Sequence, residues 1–185
     1  MDYTIMNYGV SASTIIPGVK FHSYYDDCRY EQLKLSMPNF VFFSFGAMDS
    51  HLKNFTEEKF INSYVQLIQE TQNLPSRPLI FLMVPTFHCL HDLKLEGNPN
   101  MVDDFIFDRS QCKPEQSRDM TKTIQKIAKK TEIPAYHIVN AWQLVRDPKK
   151  NNVASDNVHP NIHGMGDIAQ EFFMKMSYSP FFLAR

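Results

Sequence analysis

Cysteine is scarce in this chain. The 185 residues include three cysteines, Cys28, Cys89 and Cys112, and no Cys-x-x-Cys pair. An odd number without paired spacing argues against a disulfide framework. The same usage favours a reducing, cytoplasmic location over a secreted one.

Excess charge and long apolar runs are also missing. The formal net charge is −1 at pH 7, so the sequence offers no electrostatic basis for binding nucleic acid or an anionic membrane. No apolar run approaches the ~18 residues of a membrane span, and residues 1–20 do not have the pattern of a signal peptide. The composition, 43% hydrophobic and 21% charged, is that of a globular protein, and the length predicts one domain over residues 1–185.

Strand-like and helix-like segments alternate along the chain. Strands are predicted at 3–8, 40–45, 79–84 and 135–139, and helices at 27–35, after Thr56, after Pro114, at 142–146 and after residue 160. The segment 40–45 is apolar on both faces, which predicts a central strand. The final helix is predicted to bury Met165, Ile168, Ala169, Phe172, Phe173 and Met176. This order predicts an α/β fold, a parallel sheet covered by helices on both faces.

Polar residues are expected to gather at the carboxyl ends of these strands, where sites lie in such sheets. Small-residue turns and loops follow the strands at 9–14, 46–50 and 85–92. Residues 87–112 form a long loop without clear periodicity, and such loops are often lids or binding loops. His88, His91 and Asp92 lie in this loop, but nothing in the spacing brings them together with other ligands, so neither a metal nor a cofactor is predicted.

The stretch from Ser155 to Gly164 contains the clearest chemistry. Asp156 and His159 are three residues apart in a loop, and Pro160 and an amphipathic helix follow. A histidine transfers protons near neutral pH, and a carboxylate beside it can hold its tautomer. The alternative is an aspartate that caps the final helix next to an incidental histidine.

Three stretches together resemble the conserved blocks of a known family. Asp156-x-x-His159-Pro160-Asn161, with Gly164 soon after, is similar to the last block of the SGNH hydrolases, the GDSL-like esterases and lipases. Residues 7–14 resemble the second block, and residues 38–49 resemble the third block with its strand. The resemblance implies a flavodoxin-like three-layer α/β/α sandwich and hydrolysis of small esters through a serine acyl-enzyme. It implies His159 as the base and Asp156 as its orienting acid.

The departures from the family pattern concern the remaining parts of the site. The glycine whose N–H joins the oxyanion hole matches Ala12, which keeps the N–H. The asparagine that donates to the oxyanion matches Met48, whose thioether cannot donate. Gly46 and Asp49 belong to the same site loop, and the counterpart of Asp49 supports that loop. Loss of one donor costs about 2.7–4 kcal/mol of transition-state stabilisation.

The first block, with the nucleophilic serine in a Gly-Asp-Ser motif, has no match in the chain. The first strand is therefore expected to be missing and the N-terminus incomplete. Because a signal peptide would then lie upstream of Met1, the sequence does not exclude secretion. An unpaired sheet edge predicts self-association. Ser11 is a weaker candidate for a substitute nucleophile, because the nucleophile-elbow pattern needs a glycine where Ser13 stands and a small-residue turn explains residues 9–13 better. Two functions follow: an incomplete ester hydrolase domain, or a catalytically inactive member that binds or scaffolds.

Overall fold

The structure is a computed structural model of the 185-residue chain. It describes residues 4–18, 22–49, 52, 55–86, 120–145, 150, 152–154 and 159–178. The predicted loop at 87–112, Pro114 and Asp156 lie outside these residues. No helix in the described ranges is long and apolar enough to cross a membrane.

Three parallel strands form the sheet of the described region. They are β1 (Phe40–Phe43), β2 (Leu79–Val84) and β3 (Ile138–Asn140), in the order β1-β2-β3. Phe40 lies opposite Leu79 in the first pair, and Leu82 lies opposite Ile138 in the second. The predicted α/β class with a parallel sheet is confirmed.

Five α-helices connect or follow these strands within the described residues. Their bounds are α1 (Cys28–Leu35), α2 (Glu57–Gln72), α3 (Thr121–Lys130), α4 (Ala141–Val145) and α5 (Ile162–Ser177). Thr56 caps α2 as predicted, because its hydroxyl accepts a hydrogen bond from the Lys59 N–H at 3.2 Å. Asn161 caps α5 through the N–H groups of His163 and Gly164, both at 3.0 Å.

Helices cover both faces of the sheet, which gives three layers. Successive residues of a strand point to opposite faces. Phe43 meets the ring of Tyr64 on α2, with ring centroids 6.3 Å apart. Phe42, on the other face, meets Phe172 of α5 edge-on at 4.7 Å. The main core lies on the α2 and α3 side, where Tyr64, with Phe60, Leu67, Ile124 and Ile127, is fully buried.

The strand predicted at 3–8 is not present, because residues 4–8 adopt no regular structure. Directly after this segment, the Gly9 carbonyl accepts a hydrogen bond from Arg29 Nη1 at 2.7 Å. The strand at 40–45 forms, but it is shorter and lies at the edge of the described sheet, and β2 is central. Phe42 is 44% exposed, whereas a central strand would have both faces covered.

Two further predictions were partly wrong. The strand predicted at 135–139 begins only at Ile138, because Pro134 leads into a 3₁₀ turn at Ala135–His137. Helix α5 forms where predicted, but Met165, Ala169 and Phe173 point to solvent, and Gly164 alone is fully buried on this helix. The helix is rotated because Gly164 is pressed against the backbone of residue 152, where an added Cβ would lie 2.5 Å from the Asn152 carbonyl oxygen.

Candidate functional site

Two loops that resemble family blocks are joined by a buried carboxylate. Asp49 lies in the loop after β1, and its Oδ1 accepts hydrogen bonds from the N–H groups of Ile15 at 2.8 Å and Ile16 at 3.2 Å. Asp49 is completely buried. The segment after the turn at residues 9–14 is thereby fixed to the carboxyl end of β1. This is the edge at which α/β folds place their sites.

The environment of Asp49 disfavours its charge. Burial raises its pKa from 3.8 to about 6, and the surrounding N–H groups, first those of Ile15 and Ile16, oppose this rise. Oδ2 makes no hydrogen bond of normal geometry to the described residues. Asp49 therefore joins the two loops, and ionisation of its buried carboxyl lowers the stability of the fold.

Ala12 lies in a tight turn that holds Ser11 at the surface. The Ser13 N–H bonds to the Val10 carbonyl at 3.3 Å, and Ala12 has a φ of +58°. This left-handed conformation is more favourable for glycine than for alanine, so the backbone of the turn is strained at Ala12. Which way its N–H faces relative to His159 stays a prediction.

The loop after β1 also depends on Gly46. Its φ is +120°, and an added Cβ would lie 3.2 Å from Cζ of Phe60. Met48 follows in the same loop and is half-buried. Its thioether can accept but not donate a hydrogen bond, so the described loop offers no side-chain amide where the family pattern has one.

His159 is exposed in the loop that leads into α5. Its carbonyl accepts the Ala154 N–H at 2.8 Å, and Val153 pairs with Pro160 in an antiparallel bridge. The pairing of His159 with Asp156 stays a prediction, because Asp156 lies outside the described residues. Within the described residues, no group of three His, Cys, Asp or Glu side chains could hold a metal ion.

Asn152 anchors this loop and was not identified from the sequence. Its Nδ2 donates to the Leu144 carbonyl at 3.0 Å and to Oδ2 of Asp167 at 2.9 Å, and its carbonyl accepts the Asn161 N–H at 2.9 Å. The residue connects α4, which follows β3 at the carboxyl edge, to the start of α5. An asparagine inside a polar loop carries no periodic signal that could have indicated this role.

A second acid–histidine pair was also not predicted. Nε2 of His22 lies 2.5 Å from Oδ2 of Asp27, and Oδ1 of Asp27 caps α1 by accepting the Arg29 N–H at 2.8 Å. The Arg29 N–H, followed by the His22 bond, lowers the pKa of Asp27. The capping role was visible in the sequence, since Asp27 precedes a helical pattern.

The open cleft of about 530 Å³ does not belong to this site. It is lined by Gln69, Gln72, Arg77, Pro78, Lys130, Thr131 and Glu132. Pro78 precedes β2, so the cleft lies at the amino end of that strand. The candidate site is at the opposite edge.

Comparison with known proteins supports the fold more than the chemistry. No family model and no curated protein matches the sequence. Among solved structures, the fold is similar to a catalytic mutant of an acetylxylan esterase from Geobacillus stearothermophilus. The TM-score is 0.51 at 20% identity, and the match covers 82% of this chain. This chain corresponds to 66% of that esterase, just under two thirds. The likeness shows that the two proteins share an α/β fold.

Proposed function

We propose that this chain forms an ester hydrolase domain of the SGNH type, with small carboxylic esters, acetyl esters among them, as substrates. The observation that carries the proposal is the Asp49 bond network, which fixes the two block-like loops to one edge of the sheet. The similarity of fold to an acetylxylan esterase supports the same class of substrate.

In this proposal His159 is the general base, and Asp156 orients its ring and stabilises the imidazolium. His159 takes the proton from the attacking hydroxyl and returns it to the leaving alcohol. The Ala12 N–H would donate to the oxyanion. Met48 supplies no donor, so transition-state stabilisation should be lower by about 2.7–4 kcal/mol than with an asparagine.

The sequence pattern does not identify the nucleophile of the site. No serine of this sequence matches the Gly-Asp-Ser block, and Ser11, exposed in the turn beside Ala12, is the substitute that we propose to test. If no serine acts, His159 can only activate water. The rate should then exceed that of the uncatalysed reaction in water by no more than about 10³–10⁴-fold.

Hydrolysis of p-nitrophenyl acetate tests the proposal directly. His159→Ala should lower the rate to the residual level that binding and oxyanion stabilisation supply, while His163→Ala, which removes another exposed histidine four residues away, should not. A fluorophosphonate probe that labels the chain but not Ser11→Ala would identify the nucleophile. Equal rates for the wild type, His159→Ala and buffer would rule out hydrolysis by this chain.

A second function, binding without catalysis, is favoured by Met48. A half-buried thioether in place of an oxyanion donor is compatible with holding an ester but poor for hydrolysing it. A chain of this kind would bind an acetylated sugar without turning it over. Isothermal titration with acetylated and deacetylated xylo-oligosaccharides separates the two functions, because binding of the acetylated form without release of acetate supports the second.

A further inference from the structure

Two short segments, 152–154 and 159–161, lie side by side where the loop that carries His159 begins and ends. The Ala154 N–H donates to the His159 carbonyl at 2.8 Å, and a second backbone hydrogen bond of 2.9 Å joins the segments two residues further out. The segments also form an antiparallel bridge. The backbone at His159 is therefore placed by segment 152–154 as well as by the start of α5.

Asp167, in the second turn of α5, holds the chain that leads to this loop. Its Oδ2 accepts hydrogen bonds from Asn152 Nδ2 at 2.9 Å and from Lys150 Nζ at 2.7 Å. The bonds from Lys150 and then from Asn152 lower the pKa of Asp167, so its carboxylate is charged at neutral pH. Two donors from the chain before His159 thus meet on one oxygen atom of α5.

Asn152 is the link between Asp167 and the His159 backbone. It is buried, with 4% of its surface exposed, and its carbonyl oxygen would lie 2.5 Å from a Cβ added at Gly164. The two hydrogens of its amide go to the Leu144 carbonyl at 3.0 Å and to Asp167. Without the Asp167 carboxylate one buried N–H would lose its acceptor, which is costly. Asn152 would then have to move, and its backbone segment would move with it.

A second ion pair on α5 differs from that of Asp167 in what it connects. Glu171 lies one turn further along the helix, and its side chain has the same exposed fraction, 29%. Its partner Lys175, at 3.2 Å, belongs to α5 itself. Ion pairs this exposed contribute little to stability. The two acids are therefore similar in what they add to the helix, but Asp167 bonds to the chain before His159 and Glu171 bonds within the helix.

We propose that Asp167 is a positioning residue for His159, which it places by holding Asn152 and the backbone segment paired with the histidine. The inference rests on the proposed function, in which His159 is the general base. A base acts only when its ring nitrogen is within hydrogen-bond reach of the hydroxyl that it deprotonates. A displacement of about 1 Å at such a group can lower the rate by about 10²-fold.

Steady-state kinetics with p-nitrophenyl acetate test the effect on chemistry. Asp167→Ala should lower kcat by about 10–100-fold and change KM by less than about threefold, because the base moves and the binding surface does not. Asp167→Asn should keep kcat within about threefold of the wild type, since both hydrogen bonds reach one oxygen and an amide oxygen can accept them. Glu171→Ala is the matched control and should leave both constants unchanged.

Amide hydrogen exchange tests the loop independently of catalysis. In Asp167→Ala the amides of Ala154 and Asn161 should exchange at least about tenfold faster, while those of β2 keep their protection, because the loop opens and the fold remains. Asp167→Asn and Glu171→Ala should exchange like the wild type. If the wild type hydrolyses no ester, faster exchange in Asp167→Ala would support the role of Asp167 in the loop and refute the proposed function.

Three results would overturn the positioning role. The first is unchanged exchange at Ala154 and Asn161 in Asp167→Ala. The second is faster exchange with an unchanged kcat in an active enzyme. The third is a kcat that Glu171→Ala lowers as much as Asp167→Ala does, since the effect would then come from the stability of α5.

Discussion

Replacing Asp49 by asparagine should change how stability depends on pH. The amide oxygen can still accept the N–H groups of Ile15 and Ile16, so the link between the two loops is kept. The variant lacks the ionisation, however. In the wild type the buried carboxyl has its pKa raised from 3.8 to about 6, chiefly by burial.

The size of the effect follows from proton linkage. Between about pH 4 and pH 6 the folded state keeps the proton on Asp49 and the unfolded state loses it, so stability falls as the pH rises through this window. A pKa rise of this size corresponds to about 3 kcal/mol of unfolding free energy. From pH 3.5 to pH 7.5 the stability of Asp49→Asn relative to the wild type should improve by about that amount, which is a shift of about 6–12 °C in melting temperature.

Thermal melts of both proteins at closely spaced pH values provide the assay. The difference between the two curves is the relevant quantity, because other ionisable groups cancel from it. Met48→Leu, which alters the neighbouring residue without changing an ionisable group, should follow the pH dependence of the wild type. Parallel curves for the wild type and Asp49→Asn would refute the assignment of a raised pKa to Asp49.

Three other substitutions test the packing and the caps. Gly164→Ala should lower the free energy of unfolding by about 1–3 kcal/mol, because the added Cβ would collide with the Asn152 carbonyl oxygen. Gly166→Ala should raise it by about 0.5–1 kcal/mol, because an added Cβ there has nothing within 4 Å. Urea unfolding measures both changes. Glu132 follows the C-cap of α3 with a φ of +57°, so Glu132→Gly should raise the free energy of unfolding in urea by up to about 1 kcal/mol, and a loss instead would contradict a strained position. Burial lowers the pKa of His137, so the protonation of this residue between pH 7 and 5 should destabilise the folded wild type. His137→Phe should therefore lose less melting temperature than the wild type over that range. An equal loss in both proteins would exclude His137 as the cause.

The sequence predicted those elements whose signals are local. Thr56 followed by two glutamates predicted the start of α2, and the unbroken apolar run at 79–84 predicted β2. The position of β1 in the sheet was not predictable in this way. Apolar residues on both faces of 40–45 indicate contact on both sides, which Phe43 with Tyr64 and Phe42 with Phe172 provide even at an edge.

The rotation of α5 was wrong for a different reason. Helical spacing of Met165, Ala169 and Phe173 shows that these residues share a face, but not which way the face points. The close approach of Gly164 to Asn152 and the pairing of Asp167 with Lys150 determine that direction. Both contacts join residues separated by a loop, so the helical spacing of the sequence gives no information about them.

The sequence indicated individual residues of the candidate site, but not the contacts that bring them together. The resemblance pointed to Asp49 as a residue of the loop after β1. Its hydrogen bonds to the N–H groups of Ile15 and Ile16 join segments far apart in the sequence, so they were not predictable. Asn152, which holds the loop that carries His159, was missed because its partners are two backbone groups and the Asp167 carboxylate, which lie in other elements and leave no periodic signal.

The measurement that bears most directly on an ester hydrolase site is the effect of Met48→Asn on acetyl ester hydrolysis. An asparagine at this position would supply the missing oxyanion donor, so the rate should rise by about 10²–10³. The rise should disappear in the double variant Met48→Asn, His159→Ala. A folded Met48→Asn protein that hydrolyses p-nitrophenyl acetate no faster than the wild type, or equally fast without His159, would contradict an SGNH-type site in this chain.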